Sequence, residues 1–136
     1  MKPSLCIYSS MVFIINAIVN YWYGYFLYSA LFACLLVTSV IHHSVKTFYS
    51  YLVDKIAVFC IIFYGAYLFY DKIHADNVNL ILASTIVLTF LSTIYLYYYG
   101  YIYNQFCFAS DAVEAEWFHC IMHFVASAGH LMIVFL

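Results

Sequence analysis

Long apolar runs separated by short polar stretches make up this chain. Five runs, each close to the roughly 20 residues that a helix needs to cross a bilayer, occupy residues 5–21, 25–43, 51–70, 80–98 and 112–135. The clearest polar interruption is 71–79, and Asp111 is placed to cap the last helix. The pattern predicts an all-α protein in which a polytopic bundle of about five transmembrane helices forms a single domain over residues 1–136.

The composition points to a lipid environment. Of the 136 residues, 68% are hydrophobic and 7% are charged, whereas a soluble domain of this size leaves a large share of its surface in water. The formal net charge of -2 provides no basic surface, so we expect no nucleic-acid partner. The five cysteines are scattered without a C-x-x-C pair, and we expect most of them to be small, buried apolar residues.

Counting the spans places four polar residues at one membrane depth. If the N-terminus lies on side X of the membrane, span 2 ends on X, and spans 3 and 5 both begin there. His43, Asp54, His119 and His123 therefore all come near the X face. With four or six spans this agreement would be lost, so the count supports treating the four residues as one group.

The spacing of these residues is suited to a metal site. His119 and His123 lie one turn apart on one face of the last helix, and Ser39 and His43 share a face in the same way. Ionisable side chains at membrane depth are costly and usually face the interior of the bundle. Three histidines plus one water form the ligand set of an open, catalytic zinc site.

Such a zinc ion would activate a water molecule and polarise a carbonyl group. Asp54 would then accept the proton of that water or orient it, and Ser39 would donate a hydrogen bond to the carbonyl oxygen. His42 is an alternative to His43 as ligand, although it points about 100° away from it on a helix. His130 lies two turns deeper than His123, and we expect it, with His42, to line a cavity.

Structural roles for the same residues remain open from sequence. A single buried histidine is more often a hydrogen-bonded polar residue than a ligand. Asp54 and Lys55 could form an interfacial ion pair, and Glu116 is expected to be a charge at a helix N-terminus. Cys120 adjoins His119 but points about 100° away from it on a helix, which disfavours it as a ligand.

Three pieces of the chain together resemble a known family. They are Ser39-x-x-x-His43, Asp54 eleven residues after His43, and His119-x-x-x-His123 opening the last span. This combination resembles the alkaline ceramidases and the wider superfamily that includes progestin/adipoQ receptors and haemolysin III-like proteins. The resemblance implies zinc held by the three histidines, Asp54 and Ser39 as catalytic partners, and a lipid amide as substrate.

Two departures from that family matter. Its members have a seven-helix bundle, whereas this chain has room for about five spans. Ceramidases carry an acidic, calcium-binding N-terminal segment, whereas MKPSLCIYSS contains no carboxylate side chain, so we expect no calcium site there.

The leading hypothesis is a shortened, zinc-dependent membrane hydrolase acting on an amide-linked, ceramide-like lipid. The alternative is a non-enzymatic receptor or haemolysin III-like protein that retains the metal. A third is an inactive remnant whose bundle is completed by partner helices or by a second copy of the chain.

The positive residues give a weak prediction of orientation. Lys2, Lys46 and Lys55 fall on or near side X, and Lys72 falls on the opposite side, Y. Because positive residues favour the cytoplasm, we expect side X, and with it the metal site, to be cytoplasmic.

Overall fold

A computed structural model of the chain describes residues 4–74 and 77–136. Lys2 of the orientation argument and Asp76 of the polar loop lie outside the described residues. Within them every regular element is helical. Five helical stretches are long and apolar enough to cross a membrane: Leu5–Trp22, Phe26–Val45, Phe48–Ile73, Leu80–Phe108 and Ala112–Phe135. These are spans 1 to 5 below, and they confirm the predicted all-α bundle of a multi-pass membrane protein.

Two of the spans are composite. Span 1 consists of the helices Leu5–Ser10 and Val12–Trp22. Span 4 begins as the helix Leu80–Ile94, widens into a π-helical stretch at Tyr95–Tyr99, and continues through the helix Gly100–Tyr103 and the 3₁₀ turn Phe106–Phe108, in that order along the chain. The connection expected after residue 98 is therefore largely helical.

The ends of span 3 differ from the prediction. The helix begins at Phe48 rather than 51, because the hydroxyl of Thr47 accepts a hydrogen bond from the Ser50 amide at 3.2 Å. It continues to Ile73, through part of the stretch predicted as a loop. There the ammonium of Lys72 donates to the carbonyl oxygen of Val134 at 2.7 Å, which ties this polar end to the last turn of span 5.

Contacts at the two ends of the bundle show that the spans alternate in direction. At the X end, Leu5 N–H donates to the Glu116 carboxylate at 2.9 Å, and the rings of His43 and His119 lie 5.0 Å apart. At the Y end, the ring of Tyr23 packs edge-on against that of Phe135. The predicted grouping of residues on side X therefore follows from the observed topology.

Span 5 is the central element of the bundle. It contacts spans 1, 3 and 4, while span 2 packs between spans 1 and 3. Spans 3 and 4 are consecutive in the chain but are not packed together along their length. This arrangement leaves a space between spans 3, 4 and 5, and the candidate site lies at the X end of that space.

A close approach between spans 2, 3 and 5 depends on Gly65. A Cβ atom at this position would lie 2.7 Å from both His130 Nδ1 and the Tyr28 hydroxyl. Gly65→Ala should therefore destabilise the protein by about 1–3 kcal/mol through overpacking, although alanine usually stabilises a helix relative to glycine. Thermal unfolding in detergent measures this, with the exposed Cys60→Ala on the same span as control. Unfolding of Gly65→Ala at or above the wild-type temperature would contradict the packing described here.

Candidate metal centre

The three predicted ligands meet at the X end of the bundle. His43 comes from the last turn of span 2, and His119 and His123 come from the first half of span 5. The ring centroids lie 5.0 Å apart for His43 and His119, 5.5 Å for His43 and His123, and 4.8 Å for His119 and His123. His43 and His123 are buried and His119 is half-buried. The structure thus brings three imidazoles from two helices together.

A cysteine that sequence reasoning passed over joins this group. Ligand atoms of Cys6, His43 and His119 all lie within 4.8 Å of one another, so these residues could hold a metal ion. Cys6 is only 3% exposed. The signal was available, because the span count places Cys6 at the X end of span 1, at the depth of the histidines. The expectation that most of the cysteines are buried is wrong, because Cys34 and Cys60 lie on the outer surface of the bundle and Cys107 is half-buried.

His123 is held by a serine of span 1. Its Nδ1 lies 2.8 Å from Ser9 Oγ, and Ser9 Oγ donates to the carbonyl oxygen of Cys6 at 3.2 Å. A hydroxyl has one proton, so when Ser9 donates it to Cys6, Ser9 Oγ accepts from Nδ1–H, and in that tautomer the lone pair of His123 lies on Nε2. Metal-binding histidines are commonly oriented by such a hydrogen bond on the other ring nitrogen.

The two predicted catalytic partners are buried nearby. Ser39 is 2% exposed, and its hydroxyl lies 2.8 Å from that of Ser10. Asp54 is 5% exposed, and its carboxylate accepts a hydrogen bond of 3.4 Å from Thr38. Ser39 is therefore engaged with span 1, while Asp54 has one long hydrogen bond.

The ammonium of Lys55 makes cation-π contacts with two tyrosine rings. It lies 4.8 Å from the ring centroid of Tyr97 and 5.3 Å from that of Tyr51. The sequence suggested Lys55 as an ion-pair partner for Asp54. In the structure its ammonium lies instead against aromatic rings of spans 3 and 4.

A cavity of about 910 Å³ extends from the site into the bundle. Its polar lining at the X end includes Ser39, Asp54, Lys55, His119 and His123. Deeper in the bundle, the remaining wall is largely apolar and aromatic and reaches Ile73 near the Y end. The cavity therefore joins the polar site to a long apolar space.

Of the two histidines expected to line a cavity, His130 does so and His42 does not. His130 lines it, with Nδ1 hydrogen-bonded to the Tyr28 hydroxyl and the ring 4.8 Å from that of Phe90. His42 is not among the lining residues. One position along the helix from His43, it faces span 3, where its Nδ1 lies 3.4 Å from Ser50 Oγ. The same rotation removes it as a replacement for His43.

Two further polar residues have structural roles. The carboxylate of Glu116 accepts hydrogen bonds from the Ser4 hydroxyl and the Leu5 amide, so it satisfies the start of span 1 rather than that of its own helix. His74 lies near the Y end, where its Nδ1 is 2.8 Å from the carbonyl oxygen of Tyr70. Neither residue belongs to the candidate centre.

The donor atoms define the kind of metal that fits. Imidazole nitrogen and thiolate sulfur suit zinc and similar transition metals, whereas magnesium and calcium take oxygen ligands. In a tetrahedral zinc site, donor atoms at roughly 2.0–2.3 Å from the metal lie about 3.3–3.6 Å from one another. The ligand atoms of Cys6, His43 and His119, within 4.8 Å of one another, need shifts of about an ångström to reach that geometry. His123 lies outside this set, and its ring, 4.8 Å from that of His119, would have to move toward it.

Comparison of the chain with models of protein families, with curated proteins and with solved structures found no match.

If Ser9 fixes the tautomer of His123, Ser9→Ala should weaken metal binding by about 10–100-fold, as loss of such a supporting partner usually does. The control is Ser92→Ala, because Ser92 also donates to a carbonyl oxygen of its own helix but is exposed on span 4. Competition of each purified variant against a chelator measures the affinity. Equal affinity for Ser9→Ala and Ser92→Ala would contradict this role.

Proposed function

We propose that this protein is a zinc-dependent membrane hydrolase that cleaves an amide-linked lipid, as the resemblance to alkaline ceramidases implies. The observation that carries the proposal is the convergence of the buried carboxylate of Asp54 and the imidazoles of His119 and His123 on one largely apolar cavity. A purely structural metal site would have no need of such a cavity.

The residues would divide the chemistry as follows. His43, His119 and His123 would hold the zinc ion, which supplies a Lewis acid and an activated water when bound. Asp54, on the wall of the same cavity, would accept the proton of that water or orient it. Ser39 would turn its hydroxyl from Ser10 to the oxygen of the substrate carbonyl as negative charge develops there.

The shape of the cavity supports a lipid substrate. Its volume of about 910 Å³ is at the upper end of the range for small-molecule sites. An acyl chain would lie along the apolar wall formed by Val58, Ile62, Phe69 and Ile73 of span 3. Because spans 3 and 4 are not packed along their length, such a lipid can enter sideways from the bilayer. Ceramide-like molecules have this combination of an amide and long chains.

One observation favours a second function. Cys6 lies close enough to His43 and His119 to be a ligand, and four protein ligands are typical of closed, structural zinc sites. A protein with such a site would be a non-enzymatic membrane receptor or a haemolysin III-like protein. The third hypothesis, a remnant completed by partner helices or a second copy, remains a prediction.

Two substitutions separate metal binding from chemistry. Asp54→Asn should retain the metal while lipid-amide turnover falls by about 10²–10⁴-fold, the usual contribution of a general base. His123→Ala should lower both, since two remaining histidines make a poor site. The control for Asp54→Asn is Asp71→Asn, which makes the same change at the exposed Y end of span 3.

Metal content and turnover of a fluorescent ceramide are measured for each variant. Full turnover in Asp54→Asn would contradict the assigned mechanism but leave the metal site standing. Wild-type metal content in His123→Ala would contradict His123 as a ligand.

We also propose that the X end, with the metal site, faces the cytoplasm, because Lys46 and Lys55 lie there. A membrane-impermeant thiol reagent added from the cytoplasmic side should label Lys46→Cys and leave Asn77→Cys unlabelled. Labelling of Asn77→Cys alone would reverse the orientation.

A further inference from the structure

We infer that the thiolate of Cys6 is a metal ligand, so that the centre is a Cys–His₃ site rather than a His₃ site. The inference rests on the metal site of the proposed function and goes beyond it by adding a ligand from span 1. It follows from the position of Cys6 Sγ, which is within 4.8 Å of ligand nitrogens on both His43 and His119.

Two hydrogen bonds of the Cys6 sulfur atom to described residues of span 5 are long. They involve the carbonyl oxygen of Glu116 at 3.8 Å and the sulfur of Cys120 at 3.9 Å. A thiol is a weak hydrogen-bond donor. A metal ion would be a far better partner for a thiolate that is 3% exposed in a lipid-surrounded bundle.

Hydrogen bonds hold the backbone at Cys6 in place, both at its carbonyl oxygen and at the amide of the preceding residue. Its carbonyl oxygen accepts hydrogen bonds from Ser9 Oγ at 3.2 Å and from Ser10 Oγ at 2.6 Å. The amide of the preceding residue, Leu5, is bound by the carboxylate of Glu116, one turn before His119 on span 5. The first turn of span 1 is thus anchored to the helix that carries two of the ligands, and the side chain of Cys6 is held beside them.

Ligation by Cys6 has a chemical consequence. A thiol that binds a metal loses its proton, and four protein ligands complete a tetrahedral shell. Cys6 would then hold the position that the reactive water needs, so the resting site is closed. Hydrolysis requires Cys6 to leave the metal, and Cys6→Ala should therefore open the site while weakening its hold on the ion.

Cobalt(II) is the probe for this ligand, because a thiolate bound to cobalt gives a charge-transfer absorption in the near ultraviolet and imidazole does not. Cobalt(II)-loaded wild-type protein and Cys120→Ala should both show this band. Cys6→Ser and Cys6→Ala should still bind cobalt(II) but lack the band, with an affinity lower by at least the roughly 10–100-fold lost with a supporting residue. Cys120→Ala is the matched control, since it removes the neighbouring buried thiol.

The wild-type spectrum alone can overturn the inference. Bound cobalt(II) without a thiolate band would overturn the inference and leave an open three-histidine site. A band that persists in both Cys6 variants would overturn it as well, and failure of the wild type to bind cobalt(II) would remove both the inference and the metal site. A thiolate band in a protein without lipid-amide turnover would uphold the inference while contradicting the proposed hydrolase.

Discussion

The high free energy of an unsatisfied polar group in lipid is the constraint on which this structure depends. Polar side chains placed in a span therefore need hydrogen-bond partners, and three such pairings hold span 5. Asn16 of span 1 donates to the carbonyl oxygen of Ser127 at 3.0 Å, Tyr28 of span 2 pairs with His130, and Ser9 pairs with His123. These bonds orient span 5 at several depths and so position its histidines.

The same constraint explains why hydrogen-bonded serines lie behind the candidate ligands. Ser9 and Ser10 lie next to each other near the X end of span 1, and both donate to the carbonyl oxygen of Cys6. They connect the backbone beneath one potential ligand to His123 and to Ser39. These two serines therefore restrict the movement of Cys6, His123 and Ser39. Whether the centre is open or closed depends on one side chain, that of Cys6.

Sequence alone predicted the spans because length and hydropathy are properties of each segment by itself. The start of span 3 was misplaced because the cap by Thr47 was not recognised. Its end was misplaced because the polar residue Lys72 is held by a contact with Val134, which is 62 residues away. The three histidines were grouped by counting membrane crossings. Cys6 was missed because a buried cysteine looks like a small apolar residue until the residues opposite it are known. A cavity beside His130 was expected, but its extent could not be predicted, since it depends on two consecutive spans that do not pack along their length.

The central claim is that the X end of this bundle holds one metal ion. Elemental analysis of the purified protein, after exchange into metal-free buffer, tests it most directly. The account predicts close to one zinc per chain in the wild type and a large loss in His43→Ala, because His43 is the one ligand that both the His₃ and the Cys–His₃ arrangements take from span 2. Absence of metal from well-folded protein prepared with zinc, or equal metal in His43→Ala, would contradict it.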